Sequence, residues 1–229
     1  MRGAALYGVG LGPGDPELIT LKAKRLIDEA DAVFVPKSEL GGKSFALSII
    51  EGFVDPSKIE ELVFPMAKDE EVLRSHWVRA AEAVCERLSR GDKVVFVTLG
   101  DPSLYSTFNY LKREVERKCP SASIWVVPGI SAPSAAAARL GLPLAERDEK
   151  VAVVPAPDDA SELGSYVDSF DTVVVMKIGR KLKGLVRFLK ERNLLGKASL
   201  VQRMGTPDER AIYDLESAEA DPSAGYLST

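Results

Sequence analysis

Short apolar runs rich in β-branched residues alternate along this chain with longer stretches of helical period, and that alternation limits the folds open to it. The run at residues 94–97 has the content of a buried parallel strand, and those at 4–10, 33–35 and 124–127 read as strands. The clearest helix is predicted over 70–90, where Leu73, Trp77, Ala81, Val84 and Leu88 recur at spacings of four, four, three and four. Thr20 is expected to cap a helix reaching Ala30, residues 44–53 to form another, and Phe108 to about Arg117 a third. Residues 55–68 read as irregular, with a strand at 61–64. Strands alternating with helices in this way predict a parallel sheet with crossover connections.

The second half continues the pattern with shorter pieces. Residues 135–140 predict a helix of small residues, whose alanines permit close backbone approach. Strands are expected at 151–154, 172–176, 198–202 and 210–215, with another beginning at 225, and helices at 160–168 and 180–192. Closely spaced short strands near the end predict a mixed sheet. The fold class is therefore α/β with two α/β domains, 1–131 with a parallel-rich sheet and 132–229 with a mixed one.

Composition narrows the function classes. With 45% hydrophobic and 28% charged residues the chain reads as a soluble globular protein. A net charge of −4 argues against a general nucleic-acid binder. No apolar run approaches the ~20 residues of a membrane span, and the first ten residues read as a strand rather than a signal peptide. The expected location is cytoplasmic. Cys85 and Cys119 are the only cysteines, stand in no CxxC motif, and are expected as reduced fillers. His76 is the single histidine, so one chain holds no multi-histidine metal site, and no metal is expected.

Glycines at 8, 10, 12 and 14 invite a dinucleotide reading, but the spacing fails: Pro13 and Asp15 stand where GxGxxG needs glycine. The second distinctive stretch is Gly100-Asp101-Pro102-Ser103-Leu104-Tyr105-Ser106-Thr107, directly after the 94–97 run. It predicts a strand, a bent loop carrying one carboxylate, then a helix capped by Ser106 or Thr107. In open α/β sheets such loops, at the carboxyl ends of strands, are where ligands bind.

Three motifs in register carry a family likeness. They are Gly8-x-Gly10-x-Gly12-Pro13-Gly14-Asp15 with Leu18, Thr20 and Ala23; Gly100-Asp101-Pro102 with Tyr105; and Pro128-Gly129-Ile130-Ser131-Ala132 followed by Gly141-Leu142-Pro143-Leu144. Together they resemble the tetrapyrrole methylases, S-adenosylmethionine-dependent enzymes of cobalamin and sirohaem synthesis. The 100–107 stretch and Met176-Lys177 look most like the C20-methyltransferase branch, which acts on precorrin-2 or cobalt-factor II. The resemblance implies a cofactor cleft between two α/β domains, a homodimer and a tetrapyrrole substrate. It implies that Pro13, Leu99, Gly100, Asp101, Leu104, Ser131, Ala132, Met176 and Gly205 touch the cofactor. Tyr105 joins that list, either stacking on a ring or donating a hydrogen bond; the other reading is a core tyrosine. Asp101 either organises its loop or receives a hydrogen bond from the ligand, and Asp101 and Tyr105 are the catalytic candidates. Rival readings are methylation at another tetrapyrrole carbon, diphthine synthase-like methylation of a protein, and a nucleotide-binding regulatory module.

Tetrapyrroles of this kind carry many carboxylates, so an acidic protein must bind them with local positive charge. Lys37 and Lys43, flanking Gly41-Gly42, are the substrate-binding candidates; solvated loop lysines are the alternative. Lys177, Arg180, Lys181, Lys183 and Arg187 form a second basic cluster, read by preference as a solvated helix face. The resemblance also implies a final strand running past Thr229, so the last strand is expected to be stunted or cut short.

Overall fold

A computed structural model describes residues 4–38, 44–67, 69–219 and 228–229. The chain divides into two compact units, Met1–Ser131 and Ala132–Thr229.

In the first unit β1 (Ala5–Gly10), β2 (Ala32–Lys37), β3 (Ile59–Val63), β4 (Lys93–Thr98) and β5 (Ser123–Val127) form one sheet, ordered β3-β2-β4-β1-β5. Every neighbouring pair is parallel, so all five strands end on one edge. The connecting helices are α1 (Leu21–Asp28), α2 (Phe45–Ile50), α3 (Glu70–Ser89) and α4 (Phe108–Lys118). Successive strand residues feed two cores, as the period of two requires. Val33, Val35, Val95 and Val97 pack with Leu26 and Ile27 of α1 and Ile49 and Ile50 of α2. Phe34, Val94 and Phe96 pack with Ala81 and Val84 of α3 and Phe108 and Leu111 of α4. Covering both faces explains why these strands read as unbroken apolar runs.

Local signals act where the sequence places them. Thr20 Oγ1 accepts the Ala23 amide at 3.2 Å, and Ser44 Oγ accepts that of Leu47 at 3.3 Å. Of the two candidate caps on α4, Ser106 is used: its Oγ accepts the Phe108 amide at 3.1 Å and meets Thr98 Oγ1 at 2.9 Å. That buried hydroxyl pair ties the end of β4 to the start of α4. Residues 55–58 are less irregular than expected, because Asp55 Oδ1 accepts the Ser57 amide at 2.9 Å and fixes a short turn. β3 consequently starts at Ile59, ahead of the expected strand.

The cysteines depart from the expectation of two reduced fillers. α3 and α4 pack against each other through one core, and Trp77 stacks on Tyr110 with ring centroids 4.4 Å apart. This brings Cys85 and Cys119 to a Cα–Cα distance of 6.2 Å, joined as a disulfide. Their separation of 34 residues carried no sequence signal for a pairing that helix packing creates.

The second unit contains α5 (Ala132–Leu140), β6 (Val151–Pro155), α6 (Gly164–Ser169), β7 (Thr172–Met176), α7 (Leu182–Glu191), β8 (Leu200–Gln202), β9 (Arg210–Ile212) and α8 (Leu215–Glu219). Its pairing is mixed but split into two small sheets: β6 and β7 are parallel, β8 and β9 antiparallel. The strand expected at 210–215 stops at Ile212. Asp214 Oδ1 accepts the Glu216 amide at 3.1 Å, and the chain turns into α8 instead. Residues 225–227 lie outside the described residues; Ser228 bridges to Gln202, and Thr229 exchanges two backbone hydrogen bonds with Val201. No described helix is long and apolar enough to cross a membrane.

Candidate functional site

Three connections leave the carboxyl edge of the first sheet from adjacent strands β4, β1 and β5, and they are bonded to one another. Leu11 N donates to Thr98 O at 2.9 Å. Gly12 and Gly100 exchange hydrogen bonds in an antiparallel bridge, Gly12 N to Gly100 O at 3.2 Å and Gly100 N to Gly12 O at 2.7 Å. The third connection is drawn in at Gly129. A Cβ on Gly129 would lie 2.3 Å from Gly100 O, and one on Gly10 would lie 2.5 Å from the same oxygen. Glycine is required at both positions because three backbones meet there with no room for a methyl group.

Asp101 closes this knot. Its Oδ1 accepts the Ser103 amide at 2.8 Å and the Ser103 hydroxyl, while Oδ2 accepts the Gly129 amide at 3.0 Å. Partial burial raises the carboxyl pKa, but the three donors from Ser103 and Gly129 outweigh it and hold the group below the ordinary carboxylate value. Both oxygens are engaged by the protein, so the structure favours Asp101 as organiser of its loop. Pro13 is buried in the first connection; Leu99 and Leu104 are half-buried in the second; Ser131 is half-buried at the end of the third. Tyr105 is 40% exposed with φ of +52°, which removes the core-tyrosine reading. A bulky residue held at positive φ is strained, and such strain gathers at ligand sites.

In the second unit Ala132 begins α5, and Gly205, at φ +73°, lies in the loop joining β8 to β9. Met204 of that loop packs with Ala136 and Val201, and Ala132 packs against the same cluster. Ala132 and the Gly205 loop are therefore brought together. Met176 ends β7 in the other small sheet, where its carbonyl accepts the Ala156 amide at 2.7 Å.

The family model for Tetrapyrrole (Corrin/Porphyrin) Methylases matches residues 5–220. The chain belongs to that family. It is 40% identical over 226 residues to the probable cobalt-precorrin-2 C(20)-methyltransferase of Methanocaldococcus jannaschii, covering 97% of this chain and 93% of that one. It is 30% identical to the cobalt-precorrin-2 C(20)-methyltransferase of Salmonella typhimurium, covering 98% and 94%. The uroporphyrin-III C-methyltransferase of Thermus thermophilus, solved in complex with S-adenosylhomocysteine, superposes with a TM-score of 0.59 at 26% identity, covering 95% and 92%.

In this methylase Lys37 ends β2, beside β4 and on the edge that carries the three connections. Its Nζ lies 2.5 Å from Glu61 Oε2 of β3, so its charge is partnered within the chain. Lys43 lies outside the described residues. The second basic cluster fits the solvated-face reading: Leu182, Leu185 and Val186 are buried, while Lys181 pairs with Asp158 at 2.9 Å and Arg187 with Glu191 at 2.8 Å. Among the described residues no group of three or more His, Cys, Asp or Glu side chains is placed to hold a metal. Sequence reasoning missed the hydroxyl pair Thr98–Ser106 and the carboxylate of Glu209, which accepts the Gly205 amide at 2.8 Å. Neither carries a local motif.

Proposed function

We propose that this methylase transfers the methyl group of S-adenosylmethionine to C20 of precorrin-2 or its cobalt-bearing counterpart, in cobalamin biosynthesis. Full-length similarity to C(20)-methyltransferases supports the reaction. The observation that carries the site is the junction of the three connections, where a Cβ on Gly10 or on Gly129 would run into the carbonyl oxygen of Gly100. The junction lies at the carboxyl edge of a parallel sheet, where open α/β folds bind their ligands. The cofactor supplies an electrophilic methyl on a sulfonium, and S-adenosylhomocysteine leaves. The C–CH3 bond forms with an electron pair of the enamine-like meso carbon, the S–C pair stays on sulfur, and the cation left on the macrocycle is neutralised by loss of one proton to solvent.

An electron-rich carbon needs little activation, so this chain's tasks are alignment and exclusion of water. In this reading Pro13, Leu99, Gly100, Leu104, Tyr105 and Ser131 of the first unit, with Ala132, Met176 and Gly205 of the second, contact the cofactor. Asp101 holds two of the connections together. Any cobalt belongs to the substrate. A homodimer, to be read by sedimentation equilibrium, and a cytoplasmic location are further parts of this proposal.

Incubation with S-adenosylmethionine and either precorrin-2 or cobalt-factor II is expected to give a product heavier by one methyl, placed at C20 by NMR. Methylation at another carbon would overturn the assignment. Tight ATP or NAD binding with none to S-adenosylhomocysteine would replace it with a nucleotide-binding module.

Lys37 is the substrate-binding candidate within the described residues, and Glu61 competes for it. A charge-assisted contact to a substrate carboxylate is worth about 1.5–3 kcal/mol. Lys37→Met is therefore expected to raise KM for the tetrapyrrole ~10-fold or more, and Glu61→Gln to lower it a few-fold. Affinity for S-adenosylhomocysteine stays unchanged in both. Steady-state kinetics beside calorimetry separates these effects, and an unchanged KM in Lys37→Met removes it from the site.

A further inference from the structure

The loop joining β8 to β9 is tied at both ends. Thr206 Oγ1 donates to Arg203 O at 2.8 Å, Glu209 N donates to Thr206 O at 3.0 Å, and Arg203 pairs with Asp208 at 3.0 Å. Two further links dock it on α5. One is the buried Met204 against Ala136. The other is a relay of polar groups: Gly205 N donates to Glu209 Oε2 at 2.8 Å, and Arg139 Nε of α5 donates to Glu209 Oε1. The Gly205 amide is the main cause that holds the Glu209 carboxyl below its ordinary pKa; partial desolvation opposes it and Arg139 reinforces it.

The arrangement repeats one found in the first unit. Asp101 accepts the amide of Gly129, and Glu209 accepts the amide of Gly205. In each case one carboxylate fixes the peptide plane of a glycine in a segment assigned to the cofactor, and anchors it to a second element. The peptide is planar and trans, so fixing the Gly205 N–H toward Glu209 turns the Met204 carbonyl to the opposite side. α5 carries Ala132 at its start and Arg139 near its end, so Arg139 and Glu209 tie the Gly205 loop to the helix that presents Ala132.

We propose that Glu209 is a positioning residue for the methyl donor, orienting the Met204–Gly205 peptide, and that Arg139 positions Glu209. This inference rests on the reading of Ala132 and Gly205 as cofactor-contacting.

The test compares wild type, Glu209→Ala, Glu209→Gln, Arg139→Ala and the Glu209→Ala/Arg139→Ala double variant. S-adenosylhomocysteine affinity is read by calorimetry, kcat and both KM values by steady-state assay, and folding by thermal melting. Glu209→Ala is expected to weaken S-adenosylhomocysteine ~10-fold and raise KM for S-adenosylmethionine alike. The tetrapyrrole KM is expected to stay within about twofold. Glu209→Gln, which keeps an acceptor oxygen for Gly205, is expected to recover most of that loss. Arg139→Ala is expected to lose ~3-fold, and the double variant to lose no more than Glu209→Ala alone. A lowered melting temperature with unchanged affinity overturns the proposal and leaves Glu209 a purely structural brace. Should Glu209→Ala not fold, Glu209→Gln and Arg139→Ala decide the matter: wild-type affinity in both overturns the proposal. Wild-type protein that fails to bind S-adenosylhomocysteine sinks the proposed function itself, a separate result.

Discussion

Gly129→Ala is expected to abolish measurable S-adenosylhomocysteine binding and to lower the melting temperature by ~6–12 °C. The added Cβ would stand 2.3 Å from Gly100 O and 2.8 Å from Gly10 C, both backbone atoms that no side-chain rotation can move. Relief requires the third connection to lift away from the other two, which breaks the Gly129 N–H bond to Asp101. Overpacking of this kind costs about 3 kcal/mol at its upper range, and each kcal/mol is worth about 2–4 °C in a chain of this size. Calorimetry and differential scanning together check both halves. Wild-type binding in Gly129→Ala would show that the junction of the three connections is not where the donor sits. Gly10→Ala is expected to behave alike, since its Cβ would meet the same oxygen.

Asp101→Ala is the second large effect, and it separates organisation from contact. It leaves the Gly129 amide without its acceptor and releases both Ser103 donors. An orphaned, partly buried donor costs about 1–3 kcal/mol. S-adenosylhomocysteine affinity is expected to fall at least 10-fold in a protein that still melts cooperatively. Asp101→Asn keeps an acceptor oxygen and is expected to recover part of the loss. The pH dependence has a fixed sign. The folded-state pKa lies below the unfolded one, so Asp101 stabilises the fold above pH ~4, and that contribution is lost as pH falls through the lowered folded value. Thermal melts across this acid range are expected to show a shallower loss of stability in Asp101→Asn than in wild type. Unchanged affinity in Asp101→Ala removes the residue from the site.

Most of the first unit was legible because its central strands, β1, β2 and β4, are largely buried on both faces and its helices carry side-chain caps. The runs around Val95 and Phe96 leave no ambiguity about burial, and Thr20 marks its helix start by a bond within its own turn. The second unit was harder. Strands of three residues, such as Leu200–Gln202, are too short for a period, and whether they join one sheet or two depends on contacts distant in sequence. The same limit governed the site. Asp101 announces itself between Gly100 and Pro102, but its bond to Gly129 spans 28 residues, and that between Arg139 and Glu209 spans 70. The cysteine pair was lost for the same reason: two helices had to pack before either thiol had a neighbour.

The strand order β3-β2-β4-β1-β5 has a consequence for how the protein is made. β1, the first of these five strands to be made, finds no neighbour among them until Lys93 and then Ser123 of the later strands pair with Ala5. Only β2 and β3 are neighbours both along the chain and in the sheet. A nascent chain that has not passed Val127 thus holds an apolar β1 with an open flank, a state that invites chaperone capture and slows acquisition of the native topology.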